Sequence, residues 1–296
     1  FTNYIKEVTN NVSDNISSGY TPATFTCVDP DKPYAVMTSY DNVTYVDGTF
    51  THDVNRITTD YNILDGTTTI PADEFKDDKY LKTITIPDSV TSFGNSAFKN
   101  AIKLETCTLT STSQLDSIGT SCFQDCLQLT SLTIPNSVTS IGGYFVDKCF
   151  NLTSLDLPTN AGFTTIPDYS FYNSGLTSVT IPDNVSSIGD YAFSGDTSPP
   201  NFTTTNGTIT KLTECLFAGT PIVSTLGTNC FNSSALTSIT IPDSVTTIGQ
   251  YAFYSCGNLQ TCNLPENSGF TIISNYCFRL SGLTTIAIPD SVTNIN

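Results

Sequence analysis

Residues 236–256 read LTSITIPDSVTTIGQYAFYSC, and residues 176–193 read LTSVTIPDNVSSIGDYAF. Ile-Pro-Asp returns at 86–88, 181–183, 241–243 and 288–290, with Ile-Pro-Asn at 134–136. Such self-similarity is the signature of a chain wound from one supersecondary unit. Within LTSVTIP, Leu176, Val179 and Ile181 face inward, the last two at the period of a strand, while Ser178 and Thr180 face outward. Pro182 ends the strand, because it has no N–H for a ladder. Asp183 and its equivalents are expected to turn the chain through a side-chain-to-backbone bond. Ile188-Gly189 bends back inward, and Tyr191-Ala192-Phe193 is expected to make a short helical or 3₁₀ turn whose Phe fills the interior.

A Phe anchors nearly every unit, at Phe75, Phe98, Phe123, Phe171, Phe193, Phe217, Phe231, Phe253 and Phe278. Between Phe123 and Phe171 the equivalent column holds Val146, with Phe145 beside it. Successive spacings are 23, 25, 23, 25, 22, 24, 14, 22 and 25 residues, all but one within the range of leucine-rich repeats. Short units run from Ile241 to Ile248, whereas long ones, such as Leu157 to Ile166, add an apolar residue (Leu115, Phe163 or Phe270). The 14-residue step reads as one shortened coil near 218–231, with 194–211 as its degenerate neighbour. One coil cannot bury its own apolar face, so stacking supplies the missing wall. The expected fold is therefore a β-rich solenoid, a right-handed stack of about nine coils over 66–296. Residues 1–65 alternate like strands, with Val43–Phe50 as a hairpin turning at Asp47-Gly48. They read as an N-terminal cap over the first coil's edge, or as a small separate β module.

The units at 236–256 and 129–149 (LTSLTIPNSVTSIGGYFVDKC) resemble the BspA-type leucine-rich repeat, named for a bacterial surface adhesin. The resemblance covers roughly 66–296 and implies a curved solenoid with the parallel strands on the concave side. It also implies a secreted or cell-surface protein of mucosal bacteria or protists, associated with adhesion to host or matrix proteins.

Eleven basic against 27 acidic residues give −16, which argues against a phosphate-backbone partner. Lys76, Lys79, Lys82, Lys99 and Lys103 cluster, but Glu74, Asp77 and Asp78 sit among them, which makes a solvated mixed face. No apolar run approaches the ~20 residues of a membrane helix. The chain starts at Phe1 without Met, as a processed product would, and stops in mid-unit at SVTNIN, so the natural protein is expected to continue or the stack to end without a cap. Asn-x-Ser/Thr sequons at Asn11, Asn15, Asn42, Asn151, Asn184, Asn201, Asn206 and Asn232 are candidate glycan acceptors, although several are expected by chance.

Ten Cys in a secreted chain would ordinarily suggest disulfides. Their columns read otherwise. Cys107 and Cys262 take an inward strand position; Cys122, Cys230 and Cys277 take the Ala place before Phe; Cys126, Cys149 and Cys256 share the column three residues after it. These are small apolar sites that suit free thiols. An inter-coil bridge such as Cys126–Cys149 is the alternative, and a zinc site would need four convergent thiolates. His52, the sole His, lies outside the repeats, so the solenoid has no Ser-His-Asp or Cys-His arrangement. Asp88, Asp183, Asp243 and Asp290 recur at one turn position and read as turn formers rather than catalytic carboxylates. No cofactor or metal motif emerges, and the chain reads as non-enzymatic.

What remains is surface. The outward strand positions Ser131, Thr133, Ser154, Asp156, Ser178, Thr180, Ser238, Thr240, Thr261 and Asn263 make a nearly uncharged hydroxyl face, the candidate site for a glycan or protein partner. Thr is equally at home there simply because β-branched residues suit strands. The aromatic residues that usually anchor interfaces fall on the convex turns instead: Tyr144, Tyr169, Tyr172, Tyr191, Tyr251, Tyr254 and Tyr276. Adhesin-like recognition and self-association into a surface layer or filament are the two functions expected.

Overall fold

The structure, a computed structural model, describes residues 59–63, 65–195 and 212–296, together with the backbone of four strands at 25–29, 32–37, 45–46 and 49–50. It is a parallel β-solenoid. Each coil contributes two short strands. The first column runs through Asp60–Asn62, Thr83–Thr85, Thr106–Thr108, Ser131–Thr133, Ser154–Asp156, Ser178–Ile181, Glu214–Phe217, Ser238–Thr240 and Thr261–Asn263. The second runs from Thr69–Ile70 and Ser92–Phe93 to Ile272–Ile273 and Asn294–Ile295. Register is fixed residue for residue: Tyr61 pairs with Ile84, Ile84 with Cys107, Leu132 with Leu155 and Ile239 with Cys262. All of these except Leu155, which is half-buried, are buried, while their neighbours on the same strands are exposed or half-exposed. A one-residue slip would turn every apolar side chain outward. Ile286, which follows the repeat position of Val179 and Ile239, lies in no strand, although the second-column strand after it forms.

The parallel ladder begins at Asp60. Before it, Lys32–Met37 pairs antiparallel with Asp60–Asn62, and Phe25–Asp29 pairs antiparallel with Lys32–Met37. Val46 faces Thr49 across a two-residue connection, the hairpin expected at Asp47-Gly48.

Two expectations need correction. The first is the shortened coil near 218–231. Phe217 does not stand in the Phe column, although it packs partly buried against the core. It pairs with Ile181, just as Cys215 pairs with Val179, so Glu214–Phe217 is a first-column strand. Phe193 donates its N–H to Cys230 and its ring stacks on Phe231, so Phe193 to Phe231 is one long coil. The 24- and 14-residue steps were two parts of that coil, which is lengthened by an insertion. Tolerance follows from the physics of loops, whose closure cost grows only slowly with length.

The second correction concerns the turn before each Phe. No helix occurs among the described residues. Instead, two residues per coil sit in the left-handed region four positions apart: Asp73 and Asp77, Ser96 and Asn100, Tyr144 and Lys148, Tyr251 and Ser255. Their N–H groups, with that of the Phe between, reach the next coil rather than their own: Asp73, Phe75 and Asp77 donate to the carbonyls of Asn95, Ala97 and Lys99 at 3.0, 2.7 and 2.8 Å. This is a third ladder between coils, and it offsets the ~1 kcal/mol or more that a left-handed L-residue costs.

Close stacking explains the glycines. A β-carbon on Gly249 would stand 2.5 Å from the Thr228 backbone nitrogen, and one on Gly119 would stand 2.6 Å from that of Asn95. The Ile-Gly step is therefore a point of backbone contact between coils. Inside, the rings of Phe75, Phe98 and Phe123 stack at 5.2 and 4.9 Å, and those of Phe193, Phe231, Phe253 and Phe278 at 5.5, 5.4 and 5.4 Å. At the one coil where Val146 takes the Phe column, Phe145 fills the small column and bridges Phe123 to Phe171 edge-on, at 5.8 and 6.4 Å. The long-coil residues Leu115, Phe163 and Phe270 are fully buried.

Phe253→Ala should thus strip packing from both neighbouring coils and cost about 3–5 kcal/mol. Thr240→Ala, on the exposed strand face, should cost well under 1 kcal/mol. Denaturant unfolding of the two variants measures the contrast, and the reverse order would invert inside and outside.

Candidate functional site

The ten side chains expected to form the hydroxyl face are all exposed on the first strand column. Register brings Ser131 beside Ser154 and Thr133 beside Asp156, and places Ser238 beside Thr261 and Thr240 beside Asn263. Part of their hydrogen-bonding capacity is spent across strands: Asn263 Nδ2 donates to Thr240 Oγ1 at 3.0 Å, and Thr133 Oγ1 to Asp156 Oδ2 at 3.4 Å. Ser178 and Thr180 do not adjoin Ser238 and Thr240. The strand Glu214–Phe217 lies between, with Glu214 beside Ser178 and Leu216 beside Thr180. Leu216 is 50% exposed, an apolar side chain within a mostly hydroxyl face that also carries Glu214 and Asp156. It escaped the sequence because Phe217 resembled a core anchor; the match of LTECLF to LTSVTI was the available signal.

The turn-forming role given to the Asp of Ile-Pro-Asp is also redirected. Asp243 Oδ1 accepts the Glu266 N–H at 2.8 Å, and Asn136 Oδ1 that of Thr159 at 2.7 Å. Asp88 accepts from the Thr110 and Thr112 hydroxyls, and these bonds lower its pKa. Such bonds tie one coil to the next. Turns within a coil are made instead by Asn160 and Asn267, whose Oδ1 atoms accept the N–H of Gly162 and Gly269 at 2.8 and 2.7 Å.

Of the sequon asparagines, Asn11, Asn15, Asn42, Asn201 and Asn206 lie outside the described residues. The other three have the nitrogen that would carry a glycan already engaged. Asn151 Nδ2 donates to the Leu127 carbonyl at 2.8 Å, Asn232 Nδ2 to Asn229 Oδ1 at 2.8 Å, and Asn184 Nδ2 to the Phe163 carbonyl. Asn184 stands in the column where Ser137 and Ser244 donate their hydroxyls to the preceding coil. Its amide does the same structural work.

The tyrosines form a second ordered surface. Tyr144, Tyr169 and Tyr191 stack face to face at 4.6 and 4.7 Å, with Tyr172 edge-on against Tyr169 at 5.6 Å. Tyr251 and Tyr276 stack at 5.1 Å, with the Arg279 guanidinium 5.1 Å from the Tyr276 ring centre. Partial burial, with the neighbouring tyrosines Tyr191, Tyr144 and Tyr172 and with Asp190, raises the Tyr169 pKa.

Nucleophilic groups are turned inward. All nine described cysteines are free and buried. Cys126, Cys149 and Cys256 donate their thiols to the Phe98, Phe123 and Phe231 carbonyls at 3.1, 3.0 and 3.1 Å. Burial pushes the Cys107 and Cys262 thiols up to about 12, the latter with a smaller contribution from Cys256, and raises those of Cys122, Cys126, Cys149, Cys215, Cys230 and Cys277 as well. Buried structural thiols of that kind are inert as nucleophiles at neutral pH. Among the described residues no three His, Cys, Asp or Glu side chains converge as metal ligands, and no helix is long and apolar enough to cross a membrane. One carboxylate is out of place. Asp147 is buried, with Oδ1 unpartnered, and burial pushes its pKa up to about 6 despite Lys148 at 3.8 Å and a 2.6 Å bond from Gln124.

The fold and its register define a leucine-rich-repeat solenoid. More specifically, the chain belongs to the BspA-type leucine-rich-repeat family, whose model matches in six copies over 49–163, 164–226 and 224–296. Among solved structures it is similar to a leucine-rich repeat protein of Bacteroides ovatus, at 22% identity and a TM-score of 0.52 over 87% of this chain and 78% of that one. It is also similar to the pneumococcal vaccine antigen PcpA, at 21% identity and a TM-score of 0.50 over 77% and 64% of the two chains. Both likenesses are of fold. No protein of curated function matches the chain.

Two outcomes follow from the buried groups. Most of the repeat cysteines should resist a thiol reagent in the native state and titrate once the unreduced chain is denatured; a denatured chain without free thiols would mean bridges. Because the Asp147 pKa is raised on folding, its stabilising contribution is present below about pH 4 and lost as pH rises through about 6. Asp147→Asn should therefore flatten that decline and gain on the order of 2–3 kcal/mol at pH 7 relative to pH 4. Equal pH-dependence of unfolding in both proteins would contradict it.

Proposed function

We propose that this chain is a non-catalytic, secreted or cell-surface recognition protein that binds a host, matrix or cell-surface partner, adhesin-like, through the faces of its coil stack. One observation carries this reading: the first-column face is exposed, mostly hydroxyl, and interrupted by Leu216, 50% exposed between Thr180 and Thr240 with Glu214 on its own strand. An apolar side chain flanked by hydroxyls on a face with few charges matches the makeup of an interface centre, where charge is depleted. The family, named for a surface adhesin, supports the location, and the inward thiols support a role without chemistry. We propose also that residues 1–65 cap the stack, since Lys32–Met37 occupies the free edge of Asp60–Asn62. The alternative is assembly into a layer or filament.

The test is binding of the full chain to immobilised matrix proteins and to epithelial cells, with Leu216→Glu beside the wild type. The variant should bind at least tenfold more weakly with an unchanged unfolding midpoint. Wild-type binding that Leu216→Glu leaves intact would remove this face from the function. Concentration-dependent light scattering with no binding would favour assembly.

A further inference from the structure

The first strand column is not one continuous sheet. Asp60–Asn62, Thr83–Thr85 and Thr106–Thr108 pair together; then Ser131–Thr133 pairs only with Ser154–Asp156, Ser178–Ile181 only with Glu214–Phe217, and Ser238–Thr240 only with Thr261–Asn263. Each division falls after a long coil, in which the second-column anchor stands nine residues on: Leu109 to Ile118, Leu157 to Ile166, Phe217 to Leu226 and Leu264 to Ile273. Inside a group, the residue before a long coil's strand donates to the preceding coil. Glu105 reaches the Lys82 carbonyl at 2.7 Å, Thr153 that of Thr130 at 3.0 Å and Gln260 that of Thr237 at 2.9 Å. The equivalent N–H groups of the short coils do not. Among the described residues Thr130 and Thr177 find no backbone acceptor in the coil before, and Thr237 meets Thr213 only at 3.4 Å. The long loops add to the asymmetry, because they lean on the short coil before them: the Thr159 N–H donates to Asn136 Oδ1 at 2.7 Å and the Gln114 N–H to the Asp88 carbonyl at 3.0 Å. The other two ladders run on across the same boundaries. Ile118 pairs with Ile141, Ile166 with Ile188 and Leu226 with Ile248, while Phe123, Phe171 and Phe231 donate to Phe145, Ala192 and Ala252.

We infer that the stack is jointed: plates of two coils, or three in the first, hinge on the second column and the turn and part along the first column. Bonds on two sides of the coil hold the axis, and the side that lacks them is the one that opens. Side chains at the joints fit this role. Of the four strands that border a joint on the long-coil side, three carry an inward cysteine: Cys107, Cys215 and Cys262. A thiol gives up less apolar contact when the joint parts than an Ile or Leu would. These three are 6, 5 and 6% exposed, whereas Cys122, Cys126, Cys149, Cys230 and Cys256, beside the continuous turn ladder, are at 0%. The fourth such strand holds Leu155, which is half-buried. Parting the plates changes the interval between Asp156 and Ser178, and between Leu216 and Thr240, so the first-column face adjusts its curvature in steps of whole plates. The joints follow from the backbone bonding alone and stand whether or not that face is the recognition surface.

The test is native-state labelling of the reduced full chain with iodoacetamide, read cysteine by cysteine by mass spectrometry across a series of low urea concentrations. Cys107, Cys215 and Cys262 should label slowly, yet at least tenfold faster than Cys126 and Cys149. Their rates should also change little with urea, since a local opening uncovers little surface. A matched pair of variants separates opening from static exposure. Ile84 and Ile239 stand in the same column at 0 and 2% exposure. Ile84 is paired on both sides, with Tyr61 and Cys107, whereas Ile239 is paired with Cys262 alone and borders a joint on its other side. Ile239→Cys should label at least tenfold faster than Ile84→Cys below the unfolding transition of either variant. Equal labelling of the two variants, or labelling of every native cysteine at one rate with one urea dependence, would mean that the stack opens as a whole and has no joints.

Discussion

Everything in this molecule depends on the distance between successive coils. Three backbone ladders set it: two of parallel strands and one at the left-handed turn, where alternate N–H groups donate to the next coil. Once that distance is fixed, each position is constrained by its own column. Gly249 must lack a β-carbon because the Thr228 backbone passes too close. The core column takes a ring, because rings stack near the same repeat, as Phe231 and Phe253 do at 5.4 Å. A Val is tolerated at position 146 because Phe145 supplies the missing volume from the adjacent column.

Much of this was legible because a repeat states its rule many times over. The inward positions Val179 and Ile181 follow from period-2 spacing, and the buried cysteines from their columns. What failed did so where the sequence obeyed two rules at once. Phe217 satisfies the aromatic anchor by type and the strand by position, and only pairing with Ile181 separates the two. The Tyr-Ala-Phe turn was taken for a helical one because its residues are not glycine. Propensity argues against left-handed tyrosines, and the ladder to the next coil, which no local pattern reveals, overrides it. The same applies to Asp243 and Asn184, whose side chains serve a neighbouring coil more than twenty residues away.

Recognition fits such a frame. In a solenoid each coil touches only its neighbours, so an outward residue can change without disturbing the core. The scaffold repeats surface chemistry at a regular interval, and two positions break the repetition. Leu216 breaks the hydroxyl face, and Asn229 breaks the tyrosine stack. Both breaks belong to the one lengthened coil between Phe193 and Phe231, where the repeat departs furthest from its own consensus.

Residue-resolved amide hydrogen exchange tests most directly whether coils are held by their neighbours rather than by themselves. The amides of Tyr251, Phe253 and Ser255, which donate to Asn275, Cys277 and Arg279 of the next coil at 3.0, 2.9 and 2.9 Å, should exchange slowly, and so should their counterparts at Ser96, Phe98 and Asn100. Rapid exchange at these positions, with protection confined to the strand residues, would mean that the turn ladder does not exist in solution and that coil spacing is set in some other way.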